Sequence, residues 1–227
     1  MLLSDVPAVA AHHAPEAKAL TFGDLVWTYR ELRDRCWRLS NALIQRTEPG
    51  DRVAILAENR PEYVECYYGV PGAGLALVLL NYRLSARELA FIIGDSAPRL
   101  LFVEPKYLPV IRQIRAEIPS VEEVVVMGGE AEDDALAYEA LIATGAAVEP
   151  ARRPKEEDLC WLLYTSGTTG LPKGAMLSHR NLMAAVLNSM CAWDAGVDDV
   201  CLFTFPLFHV AGYVMPMYHL RTYPVVL

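Results

Sequence analysis

Short apolar runs alternate with capped helical segments along most of this chain, and that alternation narrows the folds open to it more than any other feature. Thr28-Tyr-Arg-Glu31 reads as a capping box that starts a helix, and Leu32, Cys36, Leu39 and Leu43 behind it fall on one face. Glu48-Pro-Gly-Asp51 is a turn and Arg52–Leu56 a strand. Pro61 sits near the start of the next helix, Pro71 and Gly72 end it, and Leu75–Leu80 is a buried strand. Ser85-Ala-Arg-Glu88 is a second capping box, with Leu89, Ile92 and Ile93 behind it. Leu100–Val103 and Glu123–Met127 read as strands; Leu108, Ile111, Ile114 and Ile118 mark a helix between them, and Asp134–Ala143 reads as another. Residues 146–157, charged and proline-bearing, form a connector. Leu159–Tyr164 is a buried strand, Ala175–Leu177 continues apolar, and Ser178 caps a helix over His179–Trp193. Strands alternating with helices over short connections predict an α/β fold, a layered parallel sheet covered on both faces. Its functional loops then lie at the carboxyl ends of the strands, where Tyr164 ends.

The run that begins at Tyr164 carries the chemistry. Residues 164–174 read Tyr-Thr-Ser-Gly-Thr-Thr-Gly-Leu-Pro-Lys-Gly. Gly167, Gly170 and Gly174 leave backbone N–H groups uncovered, Thr165, Ser166, Thr168 and Thr169 add hydroxyl donors, and Lys173 adds a positive charge. A polyphosphate needs that combination. A flexible linker of small residues lacks the Pro-Lys-Gly ending and the two apolar anchors. The Walker spacing fails as well: Gly167 is followed by only two residues before Gly170, and Gly174, not Ser or Thr, follows Lys173.

Bulk properties exclude other classes. The chain has 227 residues, 53% of them apolar, enough for a substantial core. Net charge is −8 with no basic run, which argues against nucleic acid as a partner. Cys36, Cys66, Cys160, Cys191 and Cys201 sit in apolar neighbourhoods without a Cys-x-x-Cys pair or zinc spacing, and read as buried free thiols of a reducing compartment. Met1–Ala14 lacks the basic start and apolar core of a signal peptide. Gly69–Leu80 is too short to span a bilayer, and Phe203–Leu220, interrupted by Pro206, His209, Pro216 and His219, reads as a buried core segment. The expectation is a cytoplasmic protein with no transmembrane segment, compatible with peripheral membrane contact and with a homodimer.

The run from Tyr164 to Gly174 resembles, over its whole length, the phosphate loop of the adenylate-forming enzymes: acyl-CoA synthetases, non-ribosomal adenylation domains and luciferases. Leu20–Asp24 with Trp27–Leu32 resembles the opening hairpin and first helix of that superfamily, and Gly50–Leu56 its next strand. Asn81-Tyr-Arg-Leu-Ser-Ala-Arg-Glu-Leu89 with Asp95-Ser96 is similar to acyl-CoA synthetases in particular, and Phe205–Gly212 to the segment that places an aromatic or histidine beside the acyl group. Leu79 stands where the family commonly has proline, and Pro71 interrupts a segment that is usually helical.

The resemblance implies ATP-dependent activation of a carboxylic acid, fatty or aryl, to an acyl-adenylate and then an acyl-CoA, with ATP, Mg²⁺ and coenzyme A. Thr165, Ser166, Gly167, Thr168, Thr169, Gly170, Lys173 and Gly174 would bind the β- and γ-phosphates, and the Thr165 hydroxyl would lie near Mg²⁺ or phosphate. Lys173 has a rival reading, a structural lysine pinning the loop to a carboxylate. His209 and Phe208 are the acyl-pocket candidates, with a hydrogen-bonded core histidine as the alternative for His209. His179 is expected to support its helix start, Trp161 and Trp193 to be core, and His12, His13 and His219 carry no assigned role.

Family members also carry a glutamate for Mg²⁺, an aspartate for the ribose, a hinge and a small carboxy-terminal domain with the adenylation lysine. None of these is found here. The expectation is therefore a truncated piece: residues 1–227 form part of the AMP-binding amino-terminal domain, the carboxy-terminal domain is absent, and the piece is inactive alone. A luciferase-like enzyme or a non-ribosomal adenylation domain stays open, although Asn81-Tyr82-Arg83 argues against the latter. So does a non-catalytic, truncated nucleotide-binding module.

Overall fold

The computed structural model describes residues 1–131, 134–165, 171–193, 196 and 199–227. Their strands are β1 (Lys18–Phe22), β2 (Leu25–Thr28), β3 (Arg52–Leu56), β4 (Ala76–Leu79), β5 (Leu100–Val103), β6 (Glu123–Val126), β7 (Leu136–Ala137), β8 (Leu159–Thr165), β9 (Lys173–Ser178), β10 (Cys201–Leu202) and β11 (Val225–Val226). The main sheet runs β7-β6-β5-β3-β4-β8-β9. All of it is parallel except the edge strand β9, which turns back antiparallel on β8. A smaller sheet runs β10-β11-β1-β2, with β11 parallel to both neighbours and β1–β2 a hairpin.

The helices are α1 (Val6–His13), α2 (Tyr29–Ile44), α3 (Pro61–Gly72), α4 (Ala86–Ser96), α5 (Leu108–Gln113), α6 (Tyr138–Ala143), α7 (His179–Ala192) and α8 (Val214–Leu220). Capping boxes at Thr28, Ser85 and Ser178 start α2, α4 and α7, each hydroxyl accepting a first-turn backbone N–H.

Because successive strand residues point to opposite faces, the main sheet feeds two cores. Val53, Ile55, Leu77, Phe102 and Trp161 meet Leu32 and Leu39 of α2, Tyr63 and Tyr67 of α3 and Leu141 of α6. Ala54, Leu56, Val78, Leu101, Val103 and Leu162 meet Leu89 and Ile93 of α4 and Ile111 of α5. Helices on both faces leave the ends of the strands as the places where loops converge. Glu65, wholly buried on α3, accepts from Arg35 Nε at 2.7 Å and from Tyr138 Oη at 2.8 Å, which ties α2, α3 and α6 together.

Several expectations change at the boundaries. Residues 134–143 do not form one helix: Leu136 and Ala137 are extended and lengthen the sheet beside Val125 and Val126, and α6 starts only at Tyr138. The segment from Leu108 to Ile118 breaks at Ile114 into α5 and a 3₁₀ turn at Arg115–Glu117, yet Leu108, Ile111, Ile114 and Ile118 all stay buried. The segment 203–220 divides into a 3₁₀ turn at Val210–Tyr213 and α8. Among the described residues no helix is long and apolar enough to cross a membrane. Trp161 is fully buried as expected, but Trp193, just past α7, is 51% exposed. Cys191 is likewise exposed, in the last turn of α7, whereas the other four cysteines are buried.

Candidate nucleotide and acyl site

The described residues with assigned chemistry, Thr165, Lys173, Gly174, Phe208 and His209, follow the carboxyl ends of strands of the main sheet or pack on the loops there. Strand β8 ends at Thr165, and β9 returns from Lys173 in a register that sets Thr165 opposite Lys173 and Tyr164 opposite Gly174. Thr165, Lys173 and Gly174 are all exposed. Ser166, Gly167, Thr168, Thr169 and Gly170 lie outside the described residues. No ion pair holds Lys173 among the described residues, so the reading of it as a lysine pinned to a carboxylate finds no partner there.

Two contacts hold the base of this hairpin. The Tyr164 hydroxyl donates to Asp95 Oδ2 at 2.5 Å, linking β8 to the last turn of α4. The Tyr164 ring also lies over Gly174: a Cβ on that glycine would sit 3.2 Å from Tyr164 Cζ and 3.1 Å from Leu162 Cδ1. Absence of a side chain at 174 therefore makes the seat for the ring. Burial, and then the Asp95 carboxylate, push the phenol above its ordinary range, so Tyr164 stays a donor.

The acyl-segment candidates are held differently. Asn59, just beyond β3, donates from Nδ2 to the Phe205 carbonyl at 2.8 Å and accepts the Leu207 N–H on Oδ1 at 2.8 Å. The buried Tyr67 hydroxyl donates to the Leu207 carbonyl. Phe208 is half-buried and meets Tyr82 edge to face, ring centroids 5.2 Å apart, and Tyr82 in turn stacks on Tyr107. Loops after β3, β4 and β5 thus support the segment. His209 is not a core histidine. It is exposed, and its Nδ1 accepts the Ala211 N–H at 3.1 Å to cap the 3₁₀ turn, which leaves the proton of the neutral ring on Nε2.

Asn59, Tyr67, Asp95 and Tyr82 acquire these supporting roles only in the fold. The place of Asn59 in the short connection between β3 and Pro61 is the one sequence signal that could have drawn attention to it. His179, the first residue of α7, is buried, and its Nδ1 accepts the Leu3 N–H at 3.1 Å, which ties α7 to the amino-terminal 3₁₀ turn; the helix start itself is capped by Ser178. His219, also buried, shares a 2.6 Å bond with Tyr68.

At the mouth the described residues offer the Thr165 hydroxyl, the Lys173 ammonium and the exposed backbone of Gly174. Among the described residues no group of three or more His, Cys, Asp or Glu could hold a metal ion.

Comparison with known proteins agrees with this architecture. A family model described as AMP-binding enzyme matches residues 8–222. The chain is 40% identical to the long-chain-fatty-acid–CoA ligase of Thermus thermophilus over 195 residues, 83% of this chain and 35% of the relative. It is 35% identical to feruloyl-CoA synthase of an Amycolatopsis species over 216 residues, 92% of this chain and 40% of the relative. The crystal structure of the anthranilate CoA ligase AuaEII in complex with anthranoyl-AMP superposes with a TM-score of 0.94 at 25% identity, covering 100% of this chain and 45% of that one. The inhibitor-bound N-terminal domain of FACL13 from Mycobacterium tuberculosis superposes with a TM-score of 0.90 at 27% identity, covering 100% of this chain and 57% of that one. The chain spans well under half the length of these curated relatives. A glycine- and hydroxyl-rich loop delivered by the parallel sheet, the fold of CoA-ligase amino-terminal domains and a match through nearly all of the sequence converge: this chain belongs to the AMP-binding enzyme family.

Proposed function

We propose that the protein to which this chain contributes is an acid–thiol ligase. A fatty or aryl carboxylate attacks the α-phosphorus of ATP and expels pyrophosphate, and the thiol of coenzyme A then displaces AMP from the acyl-adenylate. The supporting observation is the hairpin mouth, where an exposed lysine unpaired among the described residues stands in register with an exposed threonine at the carboxyl end of a parallel sheet. In this reading Lys173 and the hydroxyls and backbone of residues 165–170 hold the β- and γ-phosphates, where preorganised donors stabilise charge on the leaving group. Mg²⁺ would enter with the phosphates, and Thr165 would offer it one hydroxyl. Phe208 and His209 would contribute to the acyl pocket, on the segment held by Asn59 and Tyr67.

The test is pyrophosphate release by the protein expressed from its full reading frame, across a panel of fatty and aryl acids. Lys173→Ala or Thr169→Val should weaken ATP use more than about tenfold, the effect of losing about 1.4 kcal/mol of charge-assisted bonding. Unchanged kinetics would return the loop to a structural role. The 227-residue chain by itself, spanning 35% to 40% of its relatives, is expected to give no ATP–pyrophosphate exchange.

A further inference from the structure

We propose that Asp95 and Tyr164 are positioning residues for the phosphate loop, acting through Gly174 on both ends of its mouth. The inference rests on the reading of that loop as the ATP cradle. Tyr164 precedes Thr165 on β8, and Gly174 follows Lys173 on β9, opposite Tyr164. One aromatic ring, carried by the neighbour of Thr165, therefore lies against the neighbour of Lys173. The ring is fixed from a third direction, because its hydroxyl is bonded to Asp95 on α4. A ring clamped at its tip and seated on a bare glycine sets the spacing between β8 and β9 where they part.

The clamp contributes little to the fold as a whole. Asp95 is exposed, Tyr164 is only half-buried and β9 is an edge strand, whereas the cores lie under other residues. A hydrogen bond in such a place adds little global stability. Its effect is local: without it the ring can rotate or lift, and the spacing of Thr165 and Lys173 loosens. Phosphate recognition is sensitive to that spacing because each donor must meet an oxygen within a few tenths of an ångström.

The experiment titrates MgATP by calorimetry into the protein expressed from its full reading frame, alongside thermal melts. Tyr164→Phe keeps the ring on Gly174 and removes the bond. Asp95→Ala removes the acceptor, and Asp95→Asn keeps a carbonyl oxygen to accept. The expected result is a rise in Kd for MgATP of about threefold to tenfold for Tyr164→Phe and Asp95→Ala, as for one lost neutral-to-charged bond. The double variant should be no worse than either single one, Asp95→Asn should recover most of the affinity, and melting temperatures should stay within about 2 °C. Unchanged affinity in Tyr164→Phe, or loss of affinity only in step with loss of melting temperature, overturns the proposal. Lys173→Ala, run beside them, separates the two readings. If it weakens MgATP and Tyr164→Phe does not, the clamp fails alone; if neither does, the cradle reading fails with it.

Discussion

The β8–β9 hairpin and the Phe205–Gly212 segment lie at the same end of the sheet and are built in opposite ways. The hairpin carries its candidate chemistry on an edge strand whose residues from Lys173 to Met176 are exposed, Met176 by 69%. Its polar anchor to the rest of the molecule at the mouth is Tyr164 on Asp95. The second segment is bolted down by its backbone: Asn59 takes one carbonyl and one N–H, Tyr67 takes another carbonyl, and Leu207 is 1% exposed. The contrast suits the two ligands proposed. A polyphosphate can be gripped by donors on a strand pair, each bond charge-assisted. An acyl group offers shape alone, and a wall that selects by shape has to be stiff.

The largest expected effect touches both regions. His179, at the foot of β9, and His219, in the helix after the acyl segment, are both buried, and burial lowers each from 6.5 to about 4. Asp158 and Asp5 partly offset the effect at His179. Between those values the unfolded chain binds more protons than the native one. Stability contributed by the neutral rings is thus complete above about pH 6.5 and is lost as pH falls towards 4. Each histidine adds a slope of up to about 1.4 kcal/mol per pH unit within that window. Glu65, which burial pushes up to about 7, acts in the opposite sense over the same window, because its folded form takes up a proton that the unfolded form does not. Urea midpoints measured from pH 7.5 to 4.5 should therefore fall more shallowly in His179→Gln and in His219→Gln than in the parent protein, and a substitution that leaves the slope unchanged would mean that its region does not rest on a neutral histidine.

Asn59→Ala isolates the second region. It leaves the Phe205 carbonyl and the Leu207 N–H without their partner, at a cost of about 1–3 kcal/mol, or roughly 3–10 °C in melting temperature for a protein of this size. Asn59→Asp keeps the acceptor for Leu207 but sets a carboxylate oxygen against the Phe205 carbonyl in place of the donor, so its loss should be at least as large as that of alanine. In turnover assays the KM for the acid should rise more than that for ATP. An equal rise in both would mean that the two regions are not mechanically separate.

Much of this was legible in the residues. The capping boxes at Thr28 and Ser85 carry their own boundary signals, and β3 and β5 occupy the runs read as strands because both faces of each are apolar. The parts that were not legible depend on partners distant in sequence. Leu136 and Ala137 read as helix because nothing local reveals that Val125 and Val126 offer an open sheet edge. His209 stands in apolar company in sequence yet is exposed, because the short turn after it uses its Nδ1 as a cap. Asp95 gave no sign of its bond to Tyr164, which spans 69 positions.

The smallest effect offers the sharpest test of the contrast. Gly174→Ala introduces a methyl 3.1 Å from Leu162 Cδ1 and 3.2 Å from Tyr164 Cζ, both closer than a relaxed contact, so both side chains must yield by a few tenths of an ångström. The Leu162 methyl is the free end of a flexible side chain, whereas the ring, held at its tip by Asp95, yields by stretching that bond. Alanine by itself is not unfavourable here, since a glycine in a strand carries an entropic cost of roughly 0.5–1 kcal/mol that alanine removes. Melting temperature should therefore stay level or rise slightly while the Kd for MgATP rises about threefold. In a Tyr164→Phe background the tip is already free, the ring can shift without cost, and the same alanine should do nothing further to affinity. Should alanine weaken binding equally in both backgrounds, the methyl would be acting on the loop directly, and the hairpin would owe its spacing to the strand pair rather than to the tyrosine.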